Sequence, residues 1–425
     1  MSATVRFFHT AVIHFGVENY GRIDPQTGIH TRLLDFERSL ARMIDQAIAE
    51  DIDLFVFSGD AYKTPYPTPT QQKLLLNQFF RLKEQGIPVV IVVGNHDHPL
   101  SFGRAHALDV FGNIRHEGFY VFGKPDSIVI PTKRGPVQVV GIPWPMRTNV
   151  MTKQMHQLKG AEEITEYLSA QIGKLIASFA ERLDKSLPAL LAAHLTVSTG
   201  IFSGSEKRAV FGTDPVFMPS QLAISPFDYV ALGHLHRHQN LNPQGSCPVV
   251  YSGSPERVDF GERKEPKGYC DVRISIDETG IKRTQYSFVE LPVRPMLQIE
   301  VMLTPNGDGT QQILAALEKY TLDQAIVKIL YHLPAGQADT VDLQAVQQAC
   351  RQAMYVTGIV PVHITATRSY RAALNTQMST EQLVEKYLAT QEMTAADRLR
   401  LQQKAMQLAH ECEQEQERGD ESHEE

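Results

Sequence analysis

The sequence predicts an α/β fold with a layered sheet core, and two observations carry that expectation. Short apolar runs alternate with helix-length amphipathic stretches through the first 260 residues. Most of those runs are β-branched or aromatic, as strands buried by packing on both faces are.

The runs lie at 5–8, 54–57, 89–93, 137–142, 190–193, 229–232 and 249–251. Between the first two, residues 31–50 put Leu33, Leu34, Leu40, Ile44, Ala47 and Ile48 on a helical period. Between the next two, residues 71–85 read as a helix closed by Gly86 and Pro88. Past about residue 290 the texture changes. Strands are expected at 297–303, 325–331 and 360–367, with helices at 311–319 and 343–355. That β-α-β-α-β run makes a second, smaller α/β domain whose helices cover one sheet face. Near the end, Ser379-Thr380-Glu381-Gln382 fits a capping box, with Leu383, Val384, Tyr387 and Leu388 on one helical face behind it. Thr394-Ala395-Ala396-Asp397 starts another helix in the same way, and Leu401, Ala405, Leu408 and Cys412 form a narrow apolar stripe. Two such helices dock either onto the parent domain or onto a partner.

The 425 residues are 42% hydrophobic and 21% charged, which excludes global disorder, collagen and a small disulfide scaffold. At about 100–200 residues per domain the chain has room for two or three. No apolar run approaches the roughly 18 residues of a membrane span. The opening residues read as a strand and not as a leader, so a cytoplasmic location is expected. Cys247, Cys270, Cys350 and Cys412 are scattered, with no C-x-x-C pair. The net charge of −7 equals the balance of residues 411–425, which hold eight acids and one base. The rest of the chain is neutral overall, so any binding to a polyanion depends on a local field.

Polar residues collect where the strands end. His9 and His14 follow the first run, Gly59-Asp60 the second, and Gly94-Asn95-His96-Asp97 the third. His194 follows the fifth and Gly233-His234-Leu235-His236 the sixth. Open α/β sheets bind ligands at the carboxyl ends of their strands. Imidazole and carboxylate together suit borderline divalent ions, and a shared Asp bridges two of them about 3.5–4 Å apart. Each piece alone has a plainer reading. Gly-Asp after a strand is usually a turn, and a lone His is usually a satisfied core residue. His98, His106, His116 and His238 read as surface or supporting groups. The set, in this order, points to metal-dependent phosphoester chemistry.

These motifs resemble the series found in calcineurin-like metallophosphoesterases, which implies a four-layer α-β-β-α sandwich. Tyr251-Ser252-Gly253-Ser254-Pro255-Glu256-Arg257-Val258-Asp259-Phe260-Gly261-Glu262 and Gly59-Asp60-Ala61-Tyr62-Lys63 are similar, more narrowly, to segments of SbcD-type nuclease subunits. The resemblance implies a nuclease domain over 1–290, a capping domain over 291–372, a helical hairpin over 376–416 that binds an SbcC-type ABC ATPase, and an acidic disordered tail over 417–425. It implies two divalent ions, Mn²⁺ foremost. One is held by His14, Asp60 and His236, the other by Asp60, Asn95, His194 and His234. His96 is then the catalytic histidine facing the phosphate, and Asp97 the group that orients it. The implied activity is exonucleolytic and endonucleolytic cleavage of DNA in repair, recombination and replication, by a homodimer within a heterotetramer and without membrane involvement. Arg104 and His106 are candidate DNA contacts.

The resemblance breaks at one position. The family's first motif is D-x-H, and here Val12 stands where the Asp belongs, in His9-Thr10-Ala11-Val12-Ile13-His14. Valine offers no lone pair, so one metal loses an anionic ligand and cleavage is impaired. The valine is an engineered change, a natural one, or one compensated by a nearby acid, with Glu18 and Asp24 the nearest. Two other readings stand beside the nuclease: a catalytically silent subunit that binds DNA and the ATPase, and another phosphoesterase of the same fold.

Overall fold

The computed structural model describes residues 3–99, 104–112, 118–146, 160–204, 214–305, 307–363, 379–389 and 393–420. The chain forms two compact units, one of residues 1–301, 308–330 and 341–360, the other of 302–307, 331–340 and 361–425.

The first unit begins with β1 (Ala3–Thr10), β2 (Leu54–Phe57), β3 (Val89–Val92) and β4 (Phe119–Phe122), which pair in parallel in that order. Next come β5 (Asp126–Ile130), β6 (Val137–Ile142), β7 (Ala189–His194) and the short pair β8 (Thr196–Val197) and β9 (Val216–Phe217). β10 (Tyr229–Gly233), β11 (Gln239–Asn240), β12 (Val249–Tyr251), β13 (Gly268–Ile276) and β14 (Lys282–Glu290) complete two six-stranded sheets. Their orders are β14-β13-β1-β2-β3-β4 and β11-β12-β10-β7-β6-β5.

Strand periodicity assigns the layers. Val5, Phe7, Leu54, Val56, Val90 and Val92 of the first sheet meet Val139, Leu190, Ala192, Tyr229 and Ala231 of the second in one dry core. The alternate residues Phe8, Phe55, Phe57 and Ile91 face away, onto the helices α1 (Thr31–Ala49) and α2 (Pro69–Glu84). After the one-turn helix α3 (Asp109–Gly112), the long helix α4 (Ala161–Arg182) covers the outer face of the second sheet through Ile172, Ile176 and Phe179. The result is the expected four-layer α-β-β-α sandwich. Because both faces of each central strand are covered, the strands read as unbroken apolar runs.

α1 also carries a polar network. Arg32 is fully buried and donates to Asp35 (2.9 Å), whose carboxylate is gripped by both Nε and Nη2 of Arg294 (2.7 Å each).

A third sheet has the order β15 (Met296–Met302), β16 (Ile326–Leu333), β17 (Tyr355–His363), with helices at Gly309–Leu317 and Leu343–Ala349 between its strands. Two expectations shift here. The helix expected over 343–355 ends at Ala349, and the strand expected over 360–367 begins at Tyr355. Tyr355, Val356 and Thr357 favour a pleated strand over a last helical turn. Residues 364–367 lie outside the described residues.

The terminal helices, Thr380–Ala389 and Ala395–Asp420, pack on each other. Both expected caps form. Ser379 and Gln382 exchange side-chain-to-backbone bonds (3.2 and 3.3 Å), and the Thr394 hydroxyl accepts the Asp397 N–H (3.2 Å). Residues 376–378, 390–392 and 421–425 of the expected hairpin and tail are outside the described residues, and residues 417–420, expected to begin a disordered tail, continue the last helix. Among the described residues no helix is long and apolar enough to cross a membrane.

Candidate metal centre

The loops after β1, β2, β3, β7 and β10 converge at one edge of the sandwich. Backbone bonds join the first two: the N–H groups of Val12, His14 and Phe15 donate to the carbonyls of Gly59, Asp60 and Ala61 (2.9, 3.1 and 2.9 Å). Two glycines permit the crowding. Gly59 has φ 93°, and a Cβ there would strike the His194 ring; a Cβ at Gly94 would strike the Asp60 carboxylate. Left-handed backbone at Val12, His14, Asp60 and His234 (φ 57°, 51°, 58° and 104°) concentrates strain at this edge, as functional sites often do.

The six residues expected to hold metal come together. Asp60 Oδ2 lies 3.3 Å from His194 Nε2 and 3.9 Å from His14 Nε2. His194 Nε2 is 2.9 Å from Asn95 Oδ1, which is 3.2 Å from His234 Nδ1. His14 Nε2 and His236 Nε2 face each other at 3.1 Å. Ligand atoms of His14, Asp60 and His96 form one cluster, and those of Asp60, His194 and His234 a second, each within 4.8 Å, with Asp60 common to both.

Three imidazoles are aimed by acceptors on their Nδ1 atoms. The Ser58 carbonyl takes His194 (2.7 Å), the Lys63 carbonyl takes His96 (2.9 Å), and the Glu262 carboxylate takes His236 (2.6 Å). A donor N–H on Nδ1 leaves the Nε2 lone pair directed at the cluster, the usual second contact of a metal-binding histidine. Glu262 is itself held by the Val258 N–H (2.8 Å) and by the buried Lys267 ammonium (2.9 Å). Burial works against its ionisation, but His236 and Lys267 outweigh it and bring its carboxyl down to about 2.

The electrostatics suit a cation. Burial pushes His14 well below the usual histidine value, and burial with the neighbouring His194 brings His234 to about 3, so both are neutral. Burial would raise Asp60, yet the imidazoles of His194, His96 and His14 hold it well below the usual carboxylate range. Burial would lower His194, and the Asp60 charge overrides it. His14 Nδ1 and His234 Nε2 are buried without a hydrogen-bond partner among the described residues, a cost of about 1–3 kcal/mol each; His14 faces Asp60 with its other nitrogen, Nε2. A donor set of imidazole, carboxylate and carboxamide fits borderline divalent ions.

Asp97 does something other than expected. Its carboxylate accepts the N–H groups of Gly94, Asp60, Ala61 and Tyr62 (3.0, 2.8, 2.9 and 3.1 Å), so it clamps the β2 loop to the β3 loop, while the His96 ring takes its bond from Lys63. Burial and the nearby Asp60 charge push Asp97 up to about 7. Sequence reading placed it beside the wrong group because adjacency in Asn95-His96-Asp97 says nothing about which loop a side chain turns towards.

Val12 is wholly buried, yet it stands outside the three large apolar clusters of the sandwich. A β-branched residue at φ 57° is an outlier, whereas Asp and Asn tolerate that region. Asp24 does not stand in for the lost acid: its carboxylate accepts the N–H and hydroxyl of Thr27 (3.0 and 2.6 Å). Glu18 is exposed.

The remaining candidates take ordinary roles. His106 pairs with Asp109 (3.0 Å), Arg104 donates to the Tyr66 hydroxyl (3.3 Å), and His238 bonds the Tyr251 carbonyl (3.0 Å). His116 is outside the described residues. Sequence reading missed the roles of Glu262 and Lys267, the two orienting carbonyls, and Trp144, whose ring lies 4.9 Å from that of His234. Glu262 fell within a segment singled out by resemblance, but no spacing rule tied it to His236.

The chain is similar to several known proteins. Residues 29–238 match the family described as calcineurin-like phosphoesterase. The SbcD subunit of nuclease SbcCD from Staphylococcus saprophyticus is 27% identical over 316 residues, covering 74% of this chain and 76% of that one. Among solved structures, a dimetal phosphatase from Danio rerio aligns over 67% of this chain and 99% of its own, with a TM-score of 0.38 and 10% identity. A purple acid phosphatase from yellow lupin (Lupinus luteus) covers 67% of this chain and 54% of its own, with a TM-score of 0.34 and 12% identity.

Proposed function

The chain carries a calcineurin-like metallophosphoesterase domain, and on that premise we propose that it is the nuclease subunit of an SbcCD-type complex, cutting DNA phosphodiesters at ends and hairpins. The convergence of Asp60 Oδ2 with His14 and His194, with Asn95 beside them, carries this reading. His14, Asp60 and His236 would hold one divalent ion, and Asp60, Asn95, His194 and His234 would hold the other, with Mn²⁺ the first candidate. Such ions supply Lewis acidity and an activated water for attack on phosphorus.

The residues around them have separate tasks. The Ser58 carbonyl and Glu262 keep His194 and His236 in the tautomer that presents Nε2. His96, anchored through Nδ1, turns its other nitrogen to the phosphate or the leaving oxygen. Asp97 holds the two loops in register and is a positioning residue. Val12 weakens the ion at His14 and His236, so cleavage is slow in this chain.

The partner reading rests on the hairpin. Tyr387, Leu399, Leu401 and Leu408 are 48–62% exposed on its two helices, apolar side chains that a partner would cover. We assign residues 376–416 to an SbcC-type ATPase, 1–290 to the nuclease domain, 291–372 to the capping domain and 417–425 to an acidic tail. Deleting 376–425 abolishes co-purification with the ATPase if the assignment is right; retained co-purification rejects it.

Val12 itself favours a second reading, a subunit that binds DNA and the ATPase without cutting. Metal content separates the two. A single tightly held ion per chain, with no cleavage of linear duplex DNA in Mn²⁺ even after Val12→Asp, supports the silent subunit. Cleavage restored by that substitution supports the nuclease.

A further inference from the structure

A cavity of about 480 Å³ opens beside the metal centre, lined by Val17, Asn19, Tyr20, Lys63, Asp259 and Phe260. Its volume lies within the range of about 300–1,000 Å³ typical of sites for small organic groups. Its walls are tied to the centre at two points. The Lys63 carbonyl holds His96, and Phe260 begins the 3₁₀ turn that ends in Glu262, the partner of His236. The cavity and the cluster are therefore built on the same two segments.

The lining is specific in chemistry. Tyr20 and Phe260 meet edge to face, with centroids 5.1 Å apart and planes at 84°. Tyr20 is held at φ 55°, a conformation unfavourable for an aromatic residue, so the fold maintains its ring there at some cost. Asn19 donates its amide to the Val258 carbonyl (2.9 Å), which fixes the side chain. Its Oδ1 is buried with no partner among the described residues. Asp259 is turned onto the Gly261 N–H (2.6 Å), and Lys63 supplies the positive charge in the lining. An aromatic wall and an ammonium together match a nucleotide: a base to stack and a phosphate.

We propose that this cavity is a nucleobase subsite, in which an unpaired base flanking the scissile phosphate stacks on the Tyr20–Phe260 pair, with Lys63 beside the adjoining phosphate. The inference deepens the nuclease reading and rests on it. A duplex hides its base faces within the stack, so the subsite selects frayed ends and single strands. Base–aromatic stacking tolerates any sequence, which suits an enzyme of low sequence preference.

The test uses the full chain in EDTA, where binding is read without cleavage. Fluorescence anisotropy compares a labelled single strand with one of the same backbone carrying abasic residues. The expected result is about ten-fold tighter binding of the base-bearing strand, a size in keeping with one stacked base. Tyr20→Ala removes that difference and leaves abasic affinity unchanged, and Tyr20→Phe keeps it. Equal affinity of the unaltered chain for both strands overturns the proposal, as does no binding of either, or a Tyr20→Ala loss equal on both. Hydrolysis of bis(4-nitrophenyl) phosphate, which has no nucleobase, is followed in Mn²⁺ with Val12→Asp. Activity there without any base effect leaves the phosphodiesterase reading standing and removes the subsite alone.

Discussion

Replacing Val12 with Asp acts on two quantities that can be worked separately. The first is backbone strain. Val12 sits at φ 57°, and a left-handed conformation costs an ordinary L-residue about 1–2 kcal/mol, less for Asp and Asn. Val12→Asn recovers about 1 kcal/mol of that strain but buries a carboxamide, at a cost of about 1–3 kcal/mol without a hydrogen bond, so it serves as the uncharged reference for Val12→Asp. The second quantity is charge. Position 12 is wholly buried, so a carboxylate there, near the ionised Asp60, costs several kcal/mol when no cation is present. Val12→Asp thus lowers Tm in EDTA although its backbone is relaxed. Manganese reverses the order: a regained anionic ligand tightens binding by about 10–100-fold or more, and ligand linkage returns that affinity as stability. Differential scanning fluorimetry and calorimetric Mn²⁺ titration of the unaltered chain and of the Val12→Asn and Val12→Asp variants measure all three effects. The reasoning fails if Val12→Asp binds Mn²⁺ no tighter than the unaltered chain, or if Val12→Asp is as stable in EDTA as Val12→Asn.

Other expectations follow from single contacts. Glu262→Gln removes the charge that steers His236 and leaves Lys267 buried without its 2.9 Å partner; Mn²⁺ affinity should fall about 10–100-fold, measured by calorimetry. Asp97→Ala strands four buried N–H groups and should destabilise the domain by about 3 kcal/mol or more, read from urea unfolding. Arg32→Met leaves Asp35 and Glu256 short of a buried cation and should cost about 3–5 kcal/mol in the same assay. For Asp35, burial favours the neutral acid, but Arg294, Arg32 and Arg38 win and lower its folded value. Its stabilisation is therefore complete above the unfolded aspartate value near pH 4 and disappears as pH falls through the lower folded value, so Asp35→Asn should flatten the acid limb of a Tm–pH profile.

Much of the sandwich was legible because its central strands are covered on both faces. Runs such as 54–57 and 89–93 then read as apolar throughout, and their carboxyl ends fall where Asp60, Asn95 and His96 stand. β13 and β14 were not foreseen for the opposite reason. They lie at the side of a sheet, and polar and apolar residues mix along their length, so no apolar run marks them. The six residues expected to hold metal were legible as candidates because only certain side chains can ligate a cation. What aims them was not, since the carbonyls of Ser58 and Lys63 exist at every position and leave no mark in a sequence. Glu262 is 26 residues beyond His236, and only the folded chain brings its carboxylate to the ring. The strain at Val12 was equally invisible: the sequence shows a missing acid, but the left-handed backbone that favours one appears only in three dimensions.

Electron paramagnetic resonance of Mn²⁺ bound to the Val12→Asp protein bears most directly on a two-ion centre sharing Asp60. Two manganese ions bridged by one carboxylate about 3.5–4 Å apart should give an exchange-coupled spectrum at two ions per chain, and Asp60→Asn should abolish it. Isolated-ion spectra at every loading, or a coupled signal that survives Asp60→Asn, would contradict the shared centre.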